Sequence, residues 1–501
     1  MFYCACKRWL GRHIHRKFST ARVKPPKVCI IGSGPAGFYT AQQLIKILGD
    51  VQVDIYEGMP VPFGLVRYGV APDHPEVKNV THTFTKIAHS PNVRFVGNVS
   101  IGRDATLDEL RQAYHAVHLT YGAEQDRELG VPGEHLGNVL SARRVVGWYN
   151  GVPWDRDLRV DLEAETCAVL GQGNVALDVA RILLTPVDAL KSTDITEHAL
   201  AALARSKVKE VVLIGRRGPL QAAFTIKEFR EMLHLPGCRA VLDPGDFAGV
   251  REEIPVLSRP RRRLTELLCK TAFDRPGPRG GAEPAGKSFR LVFFRTPKMF
   301  VPRPDNPDVV GGVELLVNRL EGTDADRQRA VPTGAEDTVE CGLAMRSIGY
   351  RSVKADPEIP FDDTRGRVKN SHGVVEPGSD RPIPCSPRRW WSQVRVLAGL
   401  YSAGWVATGP MGVILSTMTN AFTVAQAIAA DLRQGAVDVS VDRLGFERVG
   451  ALLRSRGVQW VSFAGWERID AVERERGARA GKPREKILDI KEMLAIAASG
   501  S

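Results

Sequence analysis

The 501-residue sequence has only eight cysteines, at positions 4, 6, 29, 167, 238, 269, 341 and 385, and no Cys-x-x-Cys pair. That scatter argues against a disulfide scaffold, a thioredoxin-type dithiol and the close-set ligand pairs of iron–sulfur or zinc sites. No run of about 18 apolar residues occurs, so no transmembrane helix is expected. Acidic residues are missing from the first 49 positions, the first being Asp50. Basic ones crowd there instead: Lys7, Arg8, Arg12, Arg16, Lys17, Arg22 and Lys24. An Arg-rich, acid-free leader with Phe2, Trp9, Leu10, Ile14 and Phe18 among its charges reads as a mitochondrial transit peptide over 1–24, with cleavage expected after Phe18. Taking those seven charges from the formal +12 leaves +5, too little to argue for nucleic acid. With 43% hydrophobic and 25% charged residues, the remainder is globular and long enough for two or three domains.

The first ordered segment is a β-rich run, 27–32, entering GSGPAG at 32–37 and then a helical stretch over 38–48. A second strand, 51–56, ends at Glu57, twenty residues after Gly37. Gly32 suits the tight turn and Gly34 a close backbone approach to a pyrophosphate. Gly37 lets the helix pack near the strand with its N–H groups aimed at the phosphates. Glu57 can accept hydrogen bonds from an adenosine ribose. A lone glycine fingerprint is weak; strand, helix, second strand and acid in this spacing are much stronger.

The pattern recurs at 166–176, where Gly171, Gln172, Gly173, Asn174 and Val175 precede Ala176 in place of the third glycine, and a helix is expected over 177–184. The next strand, 209–215, ends in Arg216 and Arg217 instead of an acid. A carboxylate would repel a 2′-phosphate, whereas paired guanidiniums bind one through charge-assisted hydrogen bonds. The first site therefore suits FAD and the second NADPH. Together they suggest hydride transfer to a flavin. Near the end, GWVATGPMGVI at 404–414 opens a helical stretch running to about Leu432. A helix beginning near Gly412 would offer N–H groups and its positive end to a flavin ring. The predicted fold class is α/β, with two Rossmann-like dinucleotide-binding domains.

These segments, with VPFGLVRYGVAPDHPEVKN at 61–79, GWYN at 147–150, GQGNVALDVAR at 171–181, GRRGPL at 215–220, FTIKE at 224–228, SIGY at 347–350 and GKPREK at 481–486, closely resemble the mitochondrial adrenodoxin reductase family of NADPH-dependent ferredoxin reductases. The resemblance covers essentially 26–501. It implies an NADP domain (126–350) inserted in a split FAD domain (26–125 and 351–501). It implies FAD contacts at Ala36, Glu57, Leu65, Val99, Trp405, Gly412, Val413 and Ile414. NADP contacts fall on Gln172 to Val175, Arg216, Arg217, Glu228 and Gly412. Leu65, Val99 and Glu228 rest on the resemblance alone. The implied reaction passes electrons from NADPH through FAD to an acidic [2Fe–2S] ferredoxin, with no resident metal. His74, with Asp178 as charged partner, is a candidate for handling the proton. Arg259, Arg261, Arg262 and Arg263, expected to precede a helix over 264–270, are the candidate ferredoxin dock. The expected location is the mitochondrial matrix, with peripheral contact to the inner membrane through basic patches.

Two departures stand out. The family usually carries a basic residue where Ala407 and Thr408 stand here. Residues 377–396, with Trp390 and Trp391 adjacent, read as an insertion that the family lacks, either a variant loop or a translated intron. Other two-nucleotide NADPH flavoproteins are alternatives: a glutamate-synthase small-subunit type, for which the N-terminal cysteine cluster is missing, or a monooxygenase. A non-catalytic NADP(H) sensor is another.

Overall fold

The computed structural model describes residues 24–274, 286–324, 327–376 and 397–499. The leader up to residue 23 and the expected insertion at 377–396 lie outside them. Lys24 pairs with Asp442 at 2.6 Å.

The chain begins with β1 (Lys27–Ile31), α1 (Pro35–Leu48), β2 (Gln52–Tyr56), β3 (Val93–Val96) and β4 (Ala116–Leu119). The parallel strands stand in the order β3-β2-β1-β4, a doubly wound arrangement. β1 and β4 are apolar apart from Lys27 and His118 and almost wholly buried, as a sheet covered on both faces requires. α1 begins three residues before the expected Phe38. Pro35 is preset for a first helical position, and Gly49, at φ +70°, ends the helix.

The chain then leaves this sheet through β5 (Gln125–Asp126) and builds a second, all-parallel one. Its strands are β6 (Val139–Ser141), β7 (Thr166–Leu170), β8 (Glu210–Ile214), β9 (Cys238–Leu242), β10 (Lys287–Val292) and β14 (Leu343–Arg346). They lie in the order β6-β14-β7-β8-β10-β9. Between β10 and β14, a three-stranded antiparallel sheet forms from β11 (Arg295–Arg303), β12 (Asn306–Glu321) and β13 (Arg329–Glu340). Three helices of this unit matter below: α2 (Asn174–Leu184), α3 (Ile226–Leu233) and α4 (Arg259–Phe273).

The chain returns through β15 (Tyr350–Arg351), which pairs antiparallel with β5, so both crossings lie side by side. After a hairpin of β16 (Phe361–Asp362) and β17 (Arg367–Val368), β18 (Asn370–Ser371), β19 (Val374–Val375) and β20 (Leu400–Ser402) complete the first sheet. β20 runs parallel to β4. α5 (Ile414–Gln434) then packs on α1, where Tyr39 meets Phe422 edge to face at 5.8 Å. α6 (Phe463–Arg479) closes the same core through Trp466 and Ile469. The fold is therefore α/β, with one Rossmann-like unit inserted in another. Among the described residues, no helix is long and apolar enough to cross a membrane.

Candidate functional site

Both glycine turns divide their labour in the same way. Gly32 sits at φ +108°, and a Cβ there would lie 2.6 Å from the Thr120 carbonyl oxygen. Gly171 sits at φ +128°, with Ser347 O 2.1 Å from the Cβ site. In each turn the middle glycine faces open space: among the described residues, nothing lies within 4 Å of a Cβ built on Gly34 or Gly173. These glycines are the N-caps of α1 and α2, and neither helix has a side-chain cap. Unpaired N–H groups thus face a cradle that a side chain would narrow, which fits a dinucleotide pyrophosphate at each turn. At the third position Gly37 has no room, its Cβ site lying 2.1 Å from Gly32 O, whereas Ala176 is accommodated fully buried.

The ribose ends differ as the charges require. Glu57, just after β2, accepts from Ser33 N (3.0 Å) and Ser33 Oγ (2.6 Å) through Oε2, and from Met59 N (3.1 Å) through Oε1. A carboxylate has about four lone-pair sites, so capacity remains for a ribose hydroxyl. Arg216 is exposed just beyond β8, and its carbonyl accepts from Asn318 Nδ2 at 2.9 Å, while Arg217 O accepts from Phe294 N at 3.1 Å. Asn318 belongs to β12, so the three-stranded sheet braces the arginine loop. That support was invisible in sequence.

Two expected NADP contacts have structural work of their own. Gln172 is 9% exposed and donates Nε2 to Leu213 O (2.9 Å) and Val292 O (3.0 Å), leaving its backbone as the part that can meet a ligand. Asn174 Oδ1 accepts from Thr225 N at 2.9 Å, which fixes the start of α3 and hence Glu228. On the flavin side Val99 is 1% exposed, so its backbone is again what remains for contact. Leu65, by contrast, is 37% exposed beside the glycine turn at Gly64. Ala36 lies under Gly404, and Trp405 opens a short helix with its ring edge-on to Tyr350 at 5.7 Å. Ala407 is buried and Thr408 Oγ1 bonds within the same turn, to Gly404 O and Gly409 O, so this pair is held internally. α5 starts at Ile414, two residues after the expected Gly412, because Gly412 adopts φ +81°. Val413 caps it without a side-chain bond, leaving first-turn N–H groups for a ligand.

Where α2 and α3 meet His74 lies a cluster the sequence foretold only in part. His74, Asp178 and Glu228 offer ligand atoms within 4.8 Å of one another. The hydrogen-bond partner of His74 Nε2 is nonetheless Glu231, at 2.9 Å, and not the expected Asp178. Asp178 is claimed by Arg181 (2.7 Å), which is 3% exposed and also binds Asp73 (2.5 Å) and Glu228 (3.3 Å). One turn of α2 sets that i,i+3 pair. Glu231 sits one turn after Glu228 on α3, a helical spacing visible in sequence, but its link to His74 spans 157 residues.

Burial, and then the charge of Asp178, push Glu228 from its ordinary 4.5 up to about 7. A carboxyl with a raised folded-state pKa binds its proton more tightly when folded. Its contribution therefore weakens stability as pH rises from about 4.5 to about 7. Glu228→Gln should flatten that slope and raise stability at pH 8 by about 1–2 kcal/mol. Thermal unfolding of the NADP-free protein between pH 5 and 8 checks it; an unchanged slope would remove Glu228 as the source.

The arginine cluster also departs from expectation. Arg259, Arg261, Arg262 and Arg263 do not precede a helix but form its first two turns, with Pro260 in the opening turn. α4 buries Leu264, Leu268 and Ala272, which turns Arg259 and Arg263, four residues apart, outward. Arg261 is half-buried and bonded to Ala222 O, and Arg262 folds back on Pro255 O at 2.8 Å.

Residues 26–234 match the pyridine nucleotide-disulphide oxidoreductase family. The NADPH:adrenodoxin oxidoreductase of Homo sapiens, named mitochondrial, is 53% identical over 96% of this chain and 93% of its own. Its counterpart in Drosophila melanogaster is 47% identical over 94% and 93%. Among solved structures, Mycobacterium tuberculosis FprA in complex with NADPH superposes with a TM-score of 0.84 at 35% identity, covering 94% of this chain and 99% of its own. Identity at this level over nearly the whole length places the chain in the NADPH:adrenodoxin oxidoreductase family.

Proposed function

We propose that this chain is an NADPH-dependent ferredoxin reductase that passes electrons from NADPH to a [2Fe–2S] ferredoxin of the adrenodoxin type. FAD, held at the first glycine turn, would supply two-electron hydride uptake and release of single electrons. The observation that carries the reading is the pair of open glycine cradles with opposite ribose ends, an acid at Glu57 and arginines at Arg216 and Arg217. Family membership favours it over the glutamate-synthase, monooxygenase and sensor alternatives.

The residues are assigned as follows. Gly32, Gly34, Ala36, Gly37, Glu57, Leu65, Val99, Trp405, Gly412, Val413 and Ile414 hold the flavin nucleotide. Gly171, Gln172, Gly173, Asn174, Val175, Arg216, Arg217, Glu228 and Gly412 hold NADPH. The limits 26–125 with 351–501, and 126–350, bound the two domains. His74, with Asp178 and Glu231 nearby, moves the proton. Exposed Arg259 and Arg263 steer an acidic ferredoxin. The relatives are named mitochondrial, which supports the matrix as the working location, with basic surfaces touching the inner membrane peripherally. Release of the protein from mitochondrial membranes by a salt wash would check that contact.

The test is anaerobic. NADPH should bleach the flavin in preference to NADH, and the reduced protein should then reduce a mitochondrial ferredoxin with a rate that falls with salt. Arg259→Glu with Arg263→Glu should slow ferredoxin reduction about tenfold or more at low salt while sparing reduction of a small dye. Equal loss of both activities would remove the docking role. In the same assay, a pH profile unchanged by His74→Gln would remove the proton role.

A further inference from the structure

The GKPREK segment at 481–486 is not among the residues assigned to either nucleotide, yet it buries two lysines, Lys482 and Lys486. Lys486 is 3% exposed, and its Nζ lies 3.0 Å from Asp194 Oδ2 and 3.2 Å from Asp194 O. Lys78 Nζ holds the same carboxylate from the other side, at 2.6 Å and 2.8 Å. Lys78 and Lys486 belong to the split, flavin-side unit, and Asp194 to the inserted one. One carboxylate is thus clamped between two lysine Nζ groups across the domain interface, and burial lowers Lys486 to about 7.

Both ends of the clamp are rigid. Asp194 is followed by Ile195 and Thr196, both 0% exposed, and Thr196 N donates to Tyr149 O at 3.1 Å. Gly151 beneath leaves no slack: a Cβ there would come within 2.9 Å of Thr196 and 3.3 Å of Lys486. On the flavin side, Ile487 N donates to Glu473 Oε1 at 3.0 Å, and the same carboxylate, 0% exposed, binds Arg67 at 2.5 Å. Arg67 lies two residues from Leu65.

The clamp terminates a series. From 73 to 78 every ionisable side chain pairs across the interface: Asp73 with Arg181, His74 with Glu231, Glu76 with Lys227 (3.0 Å) and Lys78 with Asp194. Glu76–Lys227 is exposed and weak. The Lys78–Asp194–Lys486 group is largely shielded, with side chains 16%, 11% and 1% exposed, and breaking such an ion group leaves an uncompensated charge in poor contact with water. The covalent crossings cannot do this work alone. β5 and β15 form one narrow two-stranded ribbon, and a link of that kind can serve as a hinge for rotation of one domain against the other.

We infer that Asp194, gripped by Lys78 and Lys486, is a positioning residue that removes this rotation and so sets how the NADPH cradle faces the flavin cradle. The inference rests on the two-nucleotide reading above, but its test needs only flavin and NADPH.

In the FAD-loaded protein, Asp194→Asn should slow flavin bleaching at saturating NADPH about tenfold or more. NADPH affinity should stay within about twofold, and flavin content and spectrum should be unchanged. Spin labels placed one on each domain should report a broader distance distribution. Asp194→Glu should recover part of the rate. Lys78→Met removes one arm while Lys486 still neutralises Asp194, so it serves if Asp194→Asn does not fold; it should change rate and distances in the same direction. Wild-type bleaching with wild-type distances in either variant overturns the inference, as does loss confined to NADPH affinity or flavin content. Failure of the wild type to reduce ferredoxin would sink the proposed acceptor and leave this result standing.

Discussion

Replacing Gly37 with alanine should give a protein that carries no flavin. The added Cβ would lie 2.1 Å from Gly32 O, and that oxygen cannot retreat. Thr120 Oγ1 donates to it at 2.9 Å, and Gly32 N is tied to Tyr56 O at 2.7 Å. Overpacking against fixed backbone costs about 3 kcal/mol, and the relief must come from moving α1 off β1. Gly34→Ala is the informative partner. Nothing lies within 4 Å of its Cβ, and its φ of −76° suits any residue, so the fold should lose about 1 kcal/mol or less. Flavin should still be lost on dilution, because the methyl group fills the face where the pyrophosphate approaches. Flavin absorbance per chain, measured beside thermal unfolding, separates the two variants. A Gly34→Ala protein with full flavin would refute the cradle assignment.

Substituting Arg216 and Arg217 together with glutamine should collapse the preference for NADPH over NADH. A hydrogen bond to a charged group contributes about 1.5–3 kcal/mol, so each arginine lost should lower kcat/KM for NADPH by about tenfold to 100-fold. NADH, lacking the 2′-phosphate, should be almost unaffected. The loop itself should survive, since Asn318 and Phe294 hold its backbone. Steady-state constants with both nucleotides decide the matter; equal loss with each would mean that the arginines support the loop and do not read the phosphate.

The parts legible in the sequence were those governed by local rules. Glycine at 32, 34, 37, 171 and 173, and the change from Glu57 to Arg216, follow from short-range geometry and charge, and both Rossmann-like units could be read from them. Helix starts slipped by two or three residues. Pro35 opens α1 earlier than its apolar stripe suggests, and the positive φ of Gly412 delays α5. The arginines at 259–263 looked like a run before a helix because they carry no apolar period, yet their high helix propensity lets Leu264 and Leu268 draw them into α4. What could not be read was long-range pairing. Nothing near His74 announces Glu231, and nothing near Lys486 announces Asp194, since such partners meet only after the two units have docked.

The inserted arrangement also dictates an order of assembly. β4 at 116–119 and β20 at 400–402 are neighbours in one sheet, yet the whole second unit is made between them. During synthesis the inserted unit between the crossings is complete while the outer one still lacks β18, β19, β20 and α5, the helix that covers α1. The outer sheet must therefore wait, half built, with apolar surface open until the last quarter of the chain arrives. Closing so wide a loop is slow. Flavin capture is then among the last events of folding, and a chain broken off after β15 would keep the inserted unit beside an outer domain that lacks Trp405 and the start of α5 with Gly412, Val413 and Ile414.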